Sequence, residues 1–171
     1  MNKMDLDEFI GLISKAPLFQ GLNNYEYSAI SKAMIHRKFS PNQVIVREDD
    51  ENSQTFFIIL SGIVHVTVLT TEGKQTILAT LRKGDFFGEM SILDGEPRSA
   101  SVIAAQECKL AMLYRNSLLD ILKHYPKITI QMLIAMSRRL RKSNRHINTL
   151  SMMSVYGRIA EVILQIANES G

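Results

Sequence analysis

The chain has 171 residues, of which 46% are hydrophobic and 22% are charged, a size and composition that fit one globular domain with an appendage. No apolar run approaches the roughly 20 residues of a membrane-spanning helix, and the N-terminus carries acids where a secretory signal carries basic residues, so we expect a cytoplasmic protein. The net charge of +3 is uneven, because residues 1–120 hold 12 Lys and Arg against 15 Asp and Glu, whereas residues 121–171 hold 8 against 2. The basic C-terminal third is consistent with either a polyanionic partner or a solvated helix face.

Two helices and a series of short strands are predicted over the first two thirds of the chain. Helical spacing of apolar residues predicts helices over 5–15 and 23–34, with Asn24 as the N-cap of the second. The strands are predicted from runs of β-branched and aromatic residues bounded by turn signals, namely QVIVRE, TFFIIL, IVHVTVL, KQTILATL, SVIAA and KLAMLY. Short strands at such intervals predict an α+β fold built on an antiparallel double-stranded β-helix, or jelly roll, with flanking helices.

Helical periodicity returns in the C-terminal third. Asn116 can cap a short helix, and Pro126 can open a much longer one, KITIQMLIAMSRRLRKSNRHINTL. A last helix is expected from about 155 to 168, with Ser154 as its N-cap and a hinge near Met153-Ser154.

The long helix carries a heptad pattern. Its a and d positions are Leu133, Met136, Leu140, Ser143, Ile147 and Leu150, which are apolar except for Ser143. Basic residues crowd the other faces, and a narrow apolar stripe of this kind favours a seam between two helices, most simply in a homodimer. The alternative is a helix that packs only on its own barrel.

The segment GDFFGEMSILDGEPRSASV, residues 84–102, interrupts the strands with groups that suit a cyclic phosphodiester. Gly88 allows close approach of the backbone, and the turn that begins near Met90 presents backbone N–H groups. Arg98 offers a planar fork for two phosphate oxygens, and Ser99 offers a hydroxyl.

Glu89 cannot bind phosphate, but its carboxylate can accept hydrogen bonds from a sugar hydroxyl. The alternative to ligand binding is a purely structural role, in which Glu89 and Arg98 form an ion pair and Ser99 is a hydroxyl at a strand edge. The spacing of Gly-Glu and Pro-Arg-Ser-Ala between strands favours ligand binding over that alternative.

The string FFGEMSILDGEPRSASV closely resembles the phosphate-binding cassette of cyclic nucleotide-binding domains. Residues 84–102 are therefore called the cassette segment. The likeness extends from about Pro17 to Ala167, through LFQGL, EGKQTILATLRKGDFFGE, RRL and VYGRIAEVILQIA. Over that length the chain resembles the catabolite activator protein and fumarate-nitrate regulator family of bacterial transcription regulators.

The resemblance implies a role for each matched residue. Glu89 would bind the ribose 2′-hydroxyl with a backbone contribution from Gly88, while Arg98 and Ser99 would hold the cyclic phosphate. In the long helix, Ser143 from the same subunit and Asn144 from the partner would contact the purine. The alternative for Ser143 is that it only sets the register of the two helices.

The resemblance also implies a division of the chain and a function. Residues 1–125 would form the cyclic nucleotide-binding barrel, residues 126–153 the dimerisation helix and hinge, and residues 154–171 a first helix leading to a DNA-binding domain. The family continues into a helix-turn-helix, which is not found before Gly171, so DNA and RNA polymerase would be reached only through that absent domain. We expect the chain to be the sensing and dimerisation part of a regulator, with cAMP as the preferred effector and cGMP as the alternative.

Three alternatives remain. The chain could be a regulatory module that acts through a protein partner such as a kinase or a channel, or a family member that responds to another small effector. A jelly-roll enzyme would need several inward His and an acid around a metal, whereas His65 is the only His on the predicted core strands. Neither enzymatic activity nor a required cofactor is expected, and the single Cys108 rules out the cysteine cluster of iron-sulfur relatives.

Overall fold

The computed structural model describes residues 6–14, 16–51, 54–70, 72–152 and 163. The chain divides into two compact units between Gln131 and Met132. The hinge predicted at Met153-Ser154 and the helix predicted over 155–168 lie, apart from residue 163, outside the described residues. None of the helices in the described segments is both long and apolar enough to span a membrane.

The described helices are α1 (Leu6–Ile13), α2 (Asn24–Ala33), α3 (Met90–Leu93), α4 (Arg115–His124) and α5 (Pro126–Met152), with a 3-10 turn at Pro17–Phe19. The strands are β1 (Ile35–Phe39), β2 (Val44–Val46), β3 (Thr55–Ser61), β4 (Ile63–Leu69), β5 (Gln75–Arg82), β6 (Phe86–Phe87), β7 (Ser101–Ala104) and β8 (Cys108–Tyr114). Helix α5 begins at Pro126 as predicted, because the fixed φ of proline suits the first helical position.

The strands form two four-stranded antiparallel sheets. One has the order β1-β8-β3-β6 and the other β2-β7-β4-β5. Apart from the β4-β5 hairpin, strands that are neighbours in space are distant in sequence, as in a jelly roll. Alternate residues of both sheets form one core, which includes Phe57, Val64 and Leu110. The ring of Phe57 stacks on that of Phe87 with centroids 4.8 Å apart, and this contact attaches the start of the cassette segment to the core. The predicted α+β jelly roll is confirmed.

Two strands were not predicted. β1 contains His36, Arg37 and Lys38 in succession, and these hide the alternation of apolar and polar residues. Its pairing with β8, in which Phe39 lies opposite Cys108, fixes it as a strand. β6 has only two residues and is defined by its pairing with β3. Both therefore depend on partners distant in sequence rather than on local preference.

The caps predicted for α2 and α4 are wrong by one or two residues. Asn23, not Asn24, caps α2: its side chain accepts from the Glu26 N–H at 2.9 Å, and the Glu26 carboxylate accepts from the Asn23 N–H at 2.7 Å. Only Asn23 has a Glu three residues later, which is the spacing of this reciprocal cap. Helix α4 begins at Arg115, with Tyr114 rather than Asn116 at the cap position.

The cap assignment predicts different effects for two adjacent asparagines. Asn23→Ala is expected to lower the free energy of unfolding by about 1 kcal/mol, because the Glu26 N–H loses its acceptor. Asn24→Ala is the matched control, and it should change stability by less than about 0.5 kcal/mol because alanine is favourable at a helical position. Urea denaturation of both variants measures the difference, and a larger loss for Asn24→Ala would contradict the assignment.

Candidate functional site

The cassette segment begins with a sharp turn at Gly88. Its φ of +84° lies in the left-handed region, which side chains disfavour. A Cβ at this position would lie 2.6 Å from both Arg98 Nη1 and the Thr55 carbonyl oxygen. Glycine therefore serves two purposes here, because it turns the chain out of β6 and leaves room for the Arg98 guanidinium.

Arg98 is the anchored cation of the segment. Its side chain is only 3% exposed, Nη1 donates to the Gly88 carbonyl at 2.9 Å, and Nη2 donates to the Thr55 carbonyl at 2.6 Å. Its backbone is also bound, since the Asp49 N–H donates to the Arg98 carbonyl at 2.9 Å. These contacts fix the position of the guanidinium.

The electrostatics of Arg98 combine burial with two nearby acids. Burial lowers the pKa of Arg98, whereas the negative charges of Asp50 and Glu89 raise it. The side chain of Glu89 is itself buried, immediately before α3. An arginine guanidinium remains protonated in proteins, so Arg98 keeps its positive charge in surroundings where charge interactions are stronger than in water.

Ser99 and Met90 complete the cluster at its surface. The Ser99 hydroxyl donates to Met90 Sδ at 3.8 Å, and both side chains are exposed. Met90 is also the first residue of α3. The structure thus brings Arg98 into contact with Gly88 and Ser99 into contact with Met90, with Glu89 acting on Arg98 electrostatically.

The residues predicted on the long helix lie in the second unit and are described by themselves. Ser143 and Asn144 are exposed on α5. The apolar positions of the predicted seam are exposed as well, by 59% at Leu133, 63% at Leu140 and 60% at Ile147. Met136 is partly buried, and the side chain of Leu150 lies outside the described residues.

The structure adds two residues that the sequence reasoning missed. Thr55 contributes its carbonyl, which no side-chain pattern reveals. Asp50 contributes charge to Arg98, and its backbone carbonyl accepts from the Arg98 N–H at 3.4 Å. The sequence feature that could have indicated Asp50 is the acidic run Glu48–Glu51. In the structure this run contains a turn, with Asp49 at a φ of +60°.

Comparisons with known proteins place the chain among cyclic nucleotide-binding proteins. A family model described as cyclic nucleotide-binding domain matches residues 36–125. The chain is 29% identical over 160 residues to the CRP-like cAMP-activated global transcriptional regulator of Mycobacterium tuberculosis (strain ATCC 25618 / H37Rv), covering 94% of this chain and 71% of the relative.

Two solved structures are similar to the chain. The Thermus thermophilus catabolite activator protein has a TM-score of 0.71 and 30% identity, over 79% of this chain and 63% of that one. A cyclic nucleotide-binding domain from Methylobacillus flagellatus has a TM-score of 0.73 and 27% identity, over 88% of this chain and 86% of that one. The chain thus spans less than two thirds of the Thermus thermophilus protein.

Proposed function

The chain belongs to the cyclic nucleotide-binding domain family, and from that premise we propose that it is the effector-sensing and dimerisation part of a bacterial transcription regulator. The observation that carries the proposal is the buried Arg98 guanidinium, held by the Gly88 and Thr55 carbonyls beside the exposed Ser99 hydroxyl. The cAMP-activated regulator from Mycobacterium tuberculosis supports cAMP as the first effector to test. The cyclic guanine nucleotide cGMP is the second effector to test.

The arrangement of Arg98 and Ser99 supports the proposed binding of a phosphate. The guanidinium is already ordered by backbone contacts, so little conformational entropy is lost when an anion arrives. The Ser99 hydroxyl rotates from a weak acceptor, the Met90 sulfur, to a charged phosphate oxygen that accepts more strongly. We assign Glu89 to the ribose 2′-hydroxyl, because a carboxylate supplies acceptors and a hydroxyl supplies a donor.

The second unit would complete the response to ligand. We assign Ser143 and Asn144 to the purine, one from each subunit, and residues 126–153 to dimerisation. Ligand binding would then bias the helix pair and reorient whatever follows residue 153. The boundaries at residues 125 and 153 and a cytoplasmic location remain predictions.

The exposed stripe on α5 supports a homodimer. Leu133, Leu140 and Ile147 recur at heptad spacing and are each about three fifths exposed, which is the pattern of an apolar stripe that a second helix can cover. Leu140→Glu is expected to convert the dimer to a monomer in analytical ultracentrifugation, because it would bury a carboxylate in the seam. Arg141→Glu places the same side chain one residue further on and should leave the dimer intact. If both variants remain dimeric, the predicted seam is wrong.

The direct test of ligand binding is calorimetric titration of the full chain with cAMP and with cGMP. We expect saturable heat with at least one of them, and 5′-AMP serves as a control for the cyclic phosphodiester. The absence of heat with both cyclic nucleotides would overturn the mononucleotide proposal.

A second candidate is a regulatory module that acts through a protein partner. It is favoured by the extent of the Methylobacillus flagellatus domain, of which this chain covers 86%. The reading frame after codon 171 distinguishes the two candidates. A helix-turn-helix encoded there favours the transcription regulator, whereas a stop codon favours the module.

A further inference from the structure

One contact in the cassette segment joins the predicted phosphate-binding hydroxyl to a sulfur atom. The Ser99 hydroxyl donates to Met90 Sδ, and 49% of the Met90 surface is exposed. We propose that Met90 is a site of oxidative modification, at which a hydroperoxide lowers the affinity of the cassette segment for its nucleotide. The inference rests on the proposed function of this site.

The reaction is a two-electron oxygen transfer from a hydroperoxide such as hydrogen peroxide. A lone pair of Met90 Sδ attacks one peroxide oxygen, so that an S–O bond forms as the O–O bond breaks. The proton of the transferred oxygen passes to the leaving hydroxide, which departs as water. The sulfur is oxidised to a sulfoxide and the peroxide is reduced, and sulfoxide reductases can reverse the change.

Exposure selects Met90 among the sulfur atoms that the structure describes. Met34 and Met132 are buried, and Met112 and Met136 are partly buried. Cys108 is buried, and this burial raises the pKa of its thiol, which suppresses the thiolate that a peroxide would attack. Met90 is therefore the most exposed of these sulfur-containing residues.

The sulfoxide would change the hydrogen bonding of Ser99. A thioether is a weak acceptor, whereas a sulfoxide oxygen is a polar acceptor on the same side chain. The Ser99 hydroxyl would donate to that oxygen and no longer to a phosphate. Because one hydrogen bond to a charged group is lost, we expect the affinity for cAMP to fall about tenfold.

The test measures each protein before and after the same exposure to hydrogen peroxide. Peptide mass spectrometry locates the added oxygen. Calorimetry gives the ratio of affinities for the treated and untreated protein, measured with cAMP or, for a chain that binds only cGMP, with cGMP. The full chain should gain oxygen at Met90 ahead of the other described methionines and show a ratio of about one tenth. In Met90→Leu the ratio should stay near one, whatever the starting affinity of that variant.

Ser99→Ala separates a redirected hydroxyl from simple obstruction by the sulfoxide. Its affinity ratio should also stay near one, because no hydroxyl remains to be redirected. A full tenfold loss in treated Ser99→Ala, or an equal loss in treated Met90→Leu, would overturn the inference. An untreated chain that binds cAMP and is unaffected by oxidation at Met90 overturns the inference alone. An untreated chain that binds neither cAMP nor cGMP overturns the proposed function and the inference with it.

Discussion

Replacement of Arg98 by methionine is expected to weaken cAMP binding by about 100-fold or more, because the phosphate loses a buried, charge-assisted partner. The side chain is only 3% exposed, so solvent and salt screen its charge less than that of a surface arginine. Methionine keeps much of the length and the apolar stem, and the loss can therefore be assigned to the charge and its donors. Calorimetric titration of the 171-residue variant with cAMP measures the effect.

The same variant should also be less stable. The partly buried Gly88 and Thr55 carbonyls would each lose a donor, which now lies 2.9 and 2.6 Å away respectively, and an acceptor left without a donor costs up to about 1–3 kcal/mol. Urea denaturation distinguishes this loss from the loss of affinity.

Two control variants sharpen the interpretation of Arg98→Met. Arg37→Met makes the same chemical change at an exposed position on β1 and should leave cAMP affinity unchanged. Arg98→Lys retains the charge without the planar fork, so its affinity should lie between those of the parent chain and Arg98→Met. A folded Arg98→Met protein that binds cAMP as tightly as the parent chain would disprove the phosphate role.

A second large effect is expected at Gly88. Gly88→Ala should lower the free energy of unfolding by about 2–5 kcal/mol. An alanine is strained in the left-handed backbone conformation, and its Cβ would also overlap the Thr55 carbonyl and the Arg98 guanidinium. The displaced guanidinium should lower cAMP affinity at least about tenfold. Urea denaturation and calorimetry measure the two effects separately.

Gly95→Ala is the matched control for that variant. Gly95 has a φ of +81°, close to the +84° of Gly88, but a Cβ there would meet no atom within 4 Å. Its substitution should therefore cost only the backbone penalty of about 1–2 kcal/mol. Equal losses at the two glycines would show that the close approach to Arg98 is unimportant.

Most helices and strands could be predicted because each carries a distinctive residue pattern within its own length. TFFIIL and IVHVTVL are β-branched and aromatic runs, and they match β3 and β4 almost residue for residue. The charged β1 and the two-residue β6 exist through pairing with β8 and β3, which no local window can contain. Asn23 was missed although its spacing to Glu26 was visible in the sequence.

The candidate site divides in the same way. The spacing within the cassette segment predicted that Glu89, Arg98 and Ser99 would act on one ligand, and that role stays a prediction. The contact of Arg98 Nη1 with the Gly88 carbonyl, at 2.9 Å, was not predicted. The contribution of Thr55 was not predictable, because a backbone carbonyl is present at every residue and only the tertiary fold selects one. Asp50 lay in a visible acidic run, but its charge acts on Arg98 only because the backbone of the 49–50 turn pairs with that of residue 98.

The hydrogen bond between Arg98 and Thr55 has a consequence for how the chain reaches its native state. It spans 43 positions in sequence, so the guanidinium is correctly held only after a long loop has closed and β3 is in place. A nascent or partly folded chain would lack this arrangement, and under the proposed function it would not bind the nucleotide. The nucleotide would then draw the folding equilibrium toward the finished barrel by mass action, in proportion to the logarithm of its concentration. Under the proposed function, a rise in the nucleotide concentration would increase the amount of folded protein as well as its occupancy.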